Sequence, residues 1–268
     1  MTRRERGLLI QVSLYALLVA AVVVLAVVAD WAVIKENFWN PDGVGWADGN
    51  WGDLIGTGLV NTVKYTAIAF GGGLALGLVL ALMRLSPVAP YRWLATAYIE
   101  FFRGLPALVV MIFMSTGLPI AFGWTPPGGT IGAGLIGLIM VAGAYMAETL
   151  RAGIQAVPKG QTEAARSLGM RPGATTVKVV LPQAFRIVIP PLTNEFVLLI
   201  KDTALLFLLG AAADQRELTS VARDFLSSGP SAGTATSLIQ AALLYLVITL
   251  PLTQLVAALE RRQRKASR

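Results

Sequence analysis

Cysteine and histidine are both absent from the 268 residues, and only 14% of them are charged. The first absence removes thiolate and imidazole metal sites, cysteine or histidine nucleophile–base pairs and any disulfide framework. It leaves the redox compartment open, because a chain without thiols suits any. The scarcity of charge excludes more. A soluble chain of this length covers its core with a charged surface, and here there are too few charges to make one. What is abundant is apolar: 55% of the residues are hydrophobic and the mean hydropathy is +0.66. A net charge of +7 raises the question of nucleic acid. The basic residues lie in short segments between long apolar runs, however, a pattern that membrane orientation explains better.

The first such run spans Leu8 to Ala29, behind the basic Arg3, Arg4 and Arg6. Its 22 residues make about 33 Å of helix, enough to cross a hydrocarbon core. A secretory leader has a shorter apolar stretch and a small-residue cleavage site, so a retained membrane helix is expected. Further runs at 57–82, 94–120, 131–150, 188–210 and 237–259 predict an all-α, polytopic membrane bundle of six spans with both ends on one side. Glu100 and Arg103 interrupt the third run. Lys201 and Asp202 interrupt the fifth, which opens on Pro190-Pro191.

Lysine and arginine set the orientation. With cytoplasmic termini, 16 of the 22 fall in cytoplasmic segments, six of them between Arg151 and Arg186; only Lys35, Arg216 and Arg223 fall in external segments, and Lys64, Arg103 and Lys201 lie within spans. The external stretch 30–53 is acidic and aromatic, with Trp31, Phe38, Trp39, Trp46 and Trp51. An interfacial aromatic belt is its ordinary explanation, and contact with an external partner the alternative. Gly73 and Gly77, and Gly132, Gly134 and Gly137, are small residues that allow helices to pack closely in lipid.

The longest cytoplasmic connection, 151–186, is the informative one. A short helix is expected over Gln161–Leu168, between Pro158-Lys159-Gly160 and Gly169, with Thr162 as its cap and Gly169 as a left-handed stop. Arg171-Pro172-Gly173 then forces a turn. A second helical stretch begins near Ala174 and is interrupted at Pro182. A tether would need no such punctuation. A short helix held by turns suits a knob that docks into a partner.

Within this loop stand Glu163-Ala164-Ala165, then Gly169, Val179 and Leu181-Pro182. Their spacing resembles the cytoplasmic signature of permeases of binding-protein-dependent ABC importers, with Val179 in place of isoleucine. Several other stretches are similar to the polar amino acid branch of that family: Glu100 to Pro106, Gly117-Leu118-Pro119, Ala147 to Ile154, Pro158 to Gln161, and Asn194-Glu195 through Lys201-Asp202-Thr203. Departures are Ala204, where serine is more usual, and Met114-Ser115-Thr116, where an aromatic is. The resemblance covers 54–259. It implies a five-helix type I importer core with one added N-terminal helix and external segment (1–53), a coupling loop at 151–186, and a basic cytoplasmic tail at 260–268.

That resemblance also implies a location, partners and a mechanism. The chain would sit in a bacterial inner membrane with both termini cytoplasmic. It would pair with a second permease, identical or related, and receive a polar amino acid from an external binding protein. Glutamate, glutamine and basic amino acids all remain open. Glu163, Ala164, Ala165, Gly169, Leu181 and Pro182 would couple the bundle to cytoplasmic ABC ATPase subunits, whose closure alternates its access. No GxxxxGK[ST] loop occurs in this chain. ATP and magnesium are therefore expected on the partner, with no cofactor here, no enzyme activity and no nucleic acid.

Charges inside spans cost about 2.5–3.5 kcal/mol each on insertion scales, so they are expected to pair or to face a cavity. Glu100 and Arg103, and Glu148 and Arg151, stand three apart and can meet on one helix face. Asn194 with Lys201, and Glu195 with Asp202, form adjacent helical stripes able to line a polar path for a zwitterion. Lys201 or Arg103 would take its carboxylate, and Glu195 or Asp202 its ammonium. Mutual satisfaction or a subunit interface would account for these groups equally well. Three other readings compete: an ion-driven secondary transporter, an ABC permease for another solute, and a membrane enzyme. The secondary transporter needs no docking helix. The enzyme lacks recognisable chemistry at a membrane face.

Overall fold

The structure is a computed structural model that describes residues 3–28, 31, 38, 50–124, 126–228 and 231–266. Lys35, Trp39, Trp46 and Arg268, used above for the aromatic belt and for orientation, lie outside the described residues.

Long apolar runs with few charges make the long helices. α1 is Arg3–Val28, and its described side chains from Ser13 onward are exposed. α2 is Asn50–Leu85, α5 is Gly129–Gln155, and α10 is Thr236–Ala266. These last three, α10 as far as Gln263, are long and apolar enough to cross a membrane. At 1.5 Å per residue α2 reaches about 54 Å and α5 about 40 Å, against a hydrocarbon core near 30 Å.

The third predicted span, 94–120, is not one helix. α3 (Ala89–Gly104) and α4 (Ala107–Phe122) meet at 104°. Pro106 offers no N–H and crowds the residue before it, so Leu105 turns extended (φ −102°, ψ 141°) and Pro106 follows at ψ 133°. Together the two helices meet the requirements of a fourth crossing, made as a broken element.

The region 188–210 also differs from a plain span. α8, Leu181–Asp202, carries Pro190 and Pro191 in its interior without ending. The backbone then tightens into 3-10 turns over Thr203–Leu209 and stops at Gly210 (φ +75°). Lys201 and Asp202 thus sit at the helix terminus rather than in mid-span.

The centre of the bundle is the pairing of α2 with α5. A Cβ on Gly73 would lie 2.9 Å from the Ala142 Cβ, and one on Gly77 2.9 Å from the Met146 Cβ and 3.0 Å from the Ala147 backbone nitrogen. The expected small-residue contact is therefore real, and it brings the two helix axes close. α4 and α8 close over this pair through Met111, Leu138, Met146, Val188, Leu192 and Leu199, all buried. α3 joins by Ala95 and Ile99 against Leu80 and Ala147.

At the end opposite the 151–186 loop, α9 (Leu218–Ser227) packs on α10 and on the first turns of α2 through Leu54, Leu218, Val221, Ala222 and Ala241. Phe38 and Trp51 stack edge to face at 5.5 Å, and the Gln240 Nε2 donates to the Phe38 carbonyl (2.9 Å). Those two aromatics contribute to packing at this end. Trp31 is exposed.

Candidate functional sites: the 151–186 loop and a mid-bundle cavity

The loop begins where α5 ends. Val157 is buried, Pro158 opens the next helix, and α6 runs Lys159–Ser167. It starts two residues before the sequence expectation because Pro158, not Thr162, occupies the cap position. Thr162 lies inside the helix, where its hydroxyl caps nothing. The exit is as expected: Gly169 takes φ +81°, and its N–H reaches the Arg166 carbonyl at 2.9 Å while Met170 reaches Ala165 at 3.2 Å.

Glu163 and Ala164 are exposed, whereas Ala165 is buried. The EAA triplet therefore divides its labour: two residues face outward and the third seats the helix on the turns behind it. Leu168, which the sequence reading missed as a contact, is 85% exposed beside Gly169. An apolar residue pinned between a helix end and a left-handed glycine was its visible signal.

The chain returns through α7 (Pro172–Thr175) and a wide π turn at Thr176–Val180 into α8. Pro182 does not interrupt a helix, as the sequence had implied. It stands in the first turn of α8, where a missing N–H costs nothing, and the wide turn before it absorbs the ring. Leu181 is half-buried and Pro182 exposed. A Gln183 Nε2 to Gln161 Oε1 contact of 3.4 Å braces α6 against the base of α8.

A cavity of about 420 Å³ opens where the α3–α4 bend, α5 and α8 meet. Leu105, Pro106 and Ala107 form one wall, Tyr145 another, and Glu195 and Asp202 a third. Seven residues apart, the two carboxylates recur after two helical turns and face the same space. Arg103 lies over the Tyr145 ring at 5.4 Å, and the Tyr145 hydroxyl is 3.5 Å from the Arg103 carbonyl.

The other expected pathway residues go elsewhere. Asn194 and Lys201 are exposed and do not line the cavity, so the two stripes of α8 separate. Glu100 does not pair with Arg103. It lies 3.5 Å from Arg84 of α2 instead, because α3 turns that face toward α2. Glu148 and Arg151 do pair as the spacing predicted, and Arg84 joins them at 2.6 Å.

A broken helix over a cavity with two carboxylates, in a bundle whose most basic loop presents a braced knob, fits a polytopic membrane transport subunit. Residues 73–265 match the model of the binding-protein-dependent transport system inner membrane component, and the chain belongs to that family of ABC importer permeases. It is 39% identical over 209 residues to the probable glutamine ABC transporter permease GlnM of Bacillus subtilis (strain 168), covering 78% of this chain and 93% of that one. Over 211 residues it is 35% identical to the glutamate/aspartate import permease GltK of Escherichia coli O6:H1, covering 76% of this chain and 91% of that one. Among solved structures, an amino acid ABC transporter with histidines superposes with a TM-score of 0.69 at 38% identity, over 78% of this chain and 94% of that one. The fold also matches the MetNI methionine ABC transporter in an inward-facing form, with a TM-score of 0.59 at 20% identity, over 75% of this chain and 94% of that one.

Proposed function

We propose that this permease carries a polar amino acid through the cavity between the α3–α4 bend and α8, powered by a cytoplasmic ATPase that grips α6. The observation that carries the reading is the pairing of Glu195 and Asp202 in one wall of the 420 Å³ space, beneath the first turn of α4. An ammonium group is matched by the carboxylates. The N-terminal end of α4, at Pro106 and Ala107, borders the same space and favours a carboxylate. A zwitterion thus meets both signs of charge. Two acids line the space and Arg103 stacks on its Tyr145 wall, so groups of both signs border it. The names of the relatives, which include glutamine, glutamate/aspartate and arginine systems, support the amino acid class.

In this reading the exposed Glu163, Ala164 and Leu168 face the ATPase, and Gly169, Leu181 and Pro182 fix the angle at which α6 is presented. A second permease completes the pathway, an external binding protein delivers the substrate, and ATP and magnesium sit on the ATPase. The membrane is the bacterial inner membrane, with both termini cytoplasmic.

The test is ATP-dependent uptake by the reconstituted importer with arginine, glutamine and glutamate offered in turn. Asp202→Asn and Glu195→Gln are each expected to cut uptake at least about tenfold, as loss of roughly 1.4 kcal/mol or more of charge-assisted binding would. Unchanged uptake of all three solutes by both variants would remove the cavity from the pathway.

A further inference from the structure

At the end of the bundle nearest the loop, one carboxylate gathers three helices. The Glu148 Oε2 accepts from the Arg84 Nη1 at 2.6 Å and from the Arg151 Nε at 3.1 Å, while its Oε1 accepts from the Arg151 Nη2. Arg84, in the last turn of α2, holds the Glu100 carboxylate of α3 at 3.5 Å with its other Nη. Arg151 donates in turn to Gln155, the last residue of α5. Two acids and two guanidinium groups make the cluster neutral, and each of Arg84, Glu148 and Arg151 is about three-quarters buried. A pair so shielded is screened less by salt than a surface pair and holds its partners in a defined geometry.

The position of the cluster matters more than its strength. Two residues after Gln155 comes the buried Val157, and then α6 begins. In the other direction, α3 ends at the bend whose Leu105 and Pro106 wall the cavity. Glu148 therefore stands between the loop and the cavity. Without it, the apolar contacts of α2 and α3 with α5 and the Tyr98 hydroxyl bond to the Met140 carbonyl (3.1 Å) would remain, but no ion pair would hold Arg84, and through it Glu100, to the helix that carries α6.

We propose that Glu148 is a positioning residue for transport: through Arg84 and Glu100 it makes α2 and α3 follow the displacement that α6 delivers to α5, so that the cavity wall moves with the motor. This rests on the coupling role of α6 argued above. The cluster is an intramolecular brace, and none of its four members lines the cavity.

The experiment uses the whole importer in proteoliposomes and reads two quantities, ATP hydrolysis and amino acid taken up per ATP. Glu148→Gln keeps the size of the side chain but removes the charge that holds both arginines. In the assembled variant, uptake per ATP is expected to fall at least about fivefold, the lower end of ordinary coupling free energies, while hydrolysis continues. Glu148→Asp keeps the charge one methylene shorter and should retain part of the wild-type ratio. If Glu148→Gln does not assemble, Arg84→Lys, which keeps the charge but loses the two-armed contact, gives the same ratio measurement. An assembled variant with the wild-type ratio overturns the proposal, as does a drop in hydrolysis and uptake in equal proportion. Failure of the wild type to show any ATP-dependent uptake would instead sink the functional reading itself.

Discussion

Two exposed side chains, Glu163 on α6 and Leu168 just past its end, ask different questions of a docking surface. The carboxylate is free to meet a cation or a helix N-terminus on the ATPase, so Glu163→Lys places like charge there. Such juxtapositions cost several kcal/mol, and docking is expected to weaken at least about tenfold. Uptake should be lost while membrane insertion and yield stay normal, and co-purification of the ATPase reads the difference. Leu168 acts by burial. A leucine sealed in a groove contributes about 1.5–3 kcal/mol, so Leu168→Asp should weaken association by roughly ten- to a hundredfold, with little salt dependence compared with Glu163→Lys. If both variants retain the ATPase at wild-type stoichiometry, α6 is not the contact. At this scale the sequence was legible where backbone and chemistry coincide. Gly169 declared its left-handed turn by being glycine after a helix former, whereas Leu168 was hidden because an isolated apolar letter beside a helix reads as core. Thr162 misled for a related reason: a good capping residue is used only when the helix starts after it, and Pro158 had already started this one.

Among the elements, the α3–α4 bend shows what hydropathy alone conceals. The run 94–120 is apolar enough to read as one crossing, but a single Pro106 after Gly104-Leu105 turns it through 104° and creates the cavity wall. A lone proline can kink, bend or be absorbed, as Pro190, Pro191 and Pro182 are, and only the surrounding packing decides which. The opposite end of the bundle carries an element that the sequence reading did not single out. Glu217 caps α9: its carboxylate accepts from the backbone N–H of Thr219 and Ser220 at 2.7 Å each, from the Ser220 hydroxyl at 2.7 Å and from Tyr245 at 3.1 Å. Glu217→Ala removes the cap and leaves those donors unpaired, at an expected cost of about 1–3 kcal/mol, read as a lower midpoint of thermal unfolding in detergent. Burial raises the Glu217 pKa above the ordinary carboxylate value, against the opposing hydrogen bonds from Ser220, Thr219 and Tyr245. A raised folded pKa favours the protonated state on folding. This contribution is complete below the unfolded pKa and is lost as pH rises through the folded one. The wild-type midpoint should therefore rise on acidification across that window, and Glu217→Gln should flatten the trend.

For the whole molecule, charge and hydropathy show the class. The all-α membrane bundle was visible in the apolar runs, and among the described residues three helices and one bent pair meet the length and composition of a crossing. For α8, which does not, the reason lies in how polar groups are housed. α8 keeps Glu195 and Asp202 against a cavity and ends at Asp202, so those two carboxylates need not face lipid. Its lower hydropathy follows from that placement, and a scale that counts residues one at a time is blind to it. Orientation rests on the concentration of arginine and lysine around α6 and at the end of α10, where Gln263 donates to the Arg186 carbonyl and gathers those charges at one end of the bundle. The absence of cysteine makes this directly measurable, since every introduced thiol is the only one in the chain. Ser167→Cys, on the exposed C-terminal residue of α6, should react with a membrane-impermeant maleimide only after cells are permeabilised. Ser228→Cys, exposed at the end of α9, should react in intact cells. Labelling of Ser167→Cys from outside would invert the molecule, place its most basic face across the membrane from the ATP, and leave α6 with no motor to meet.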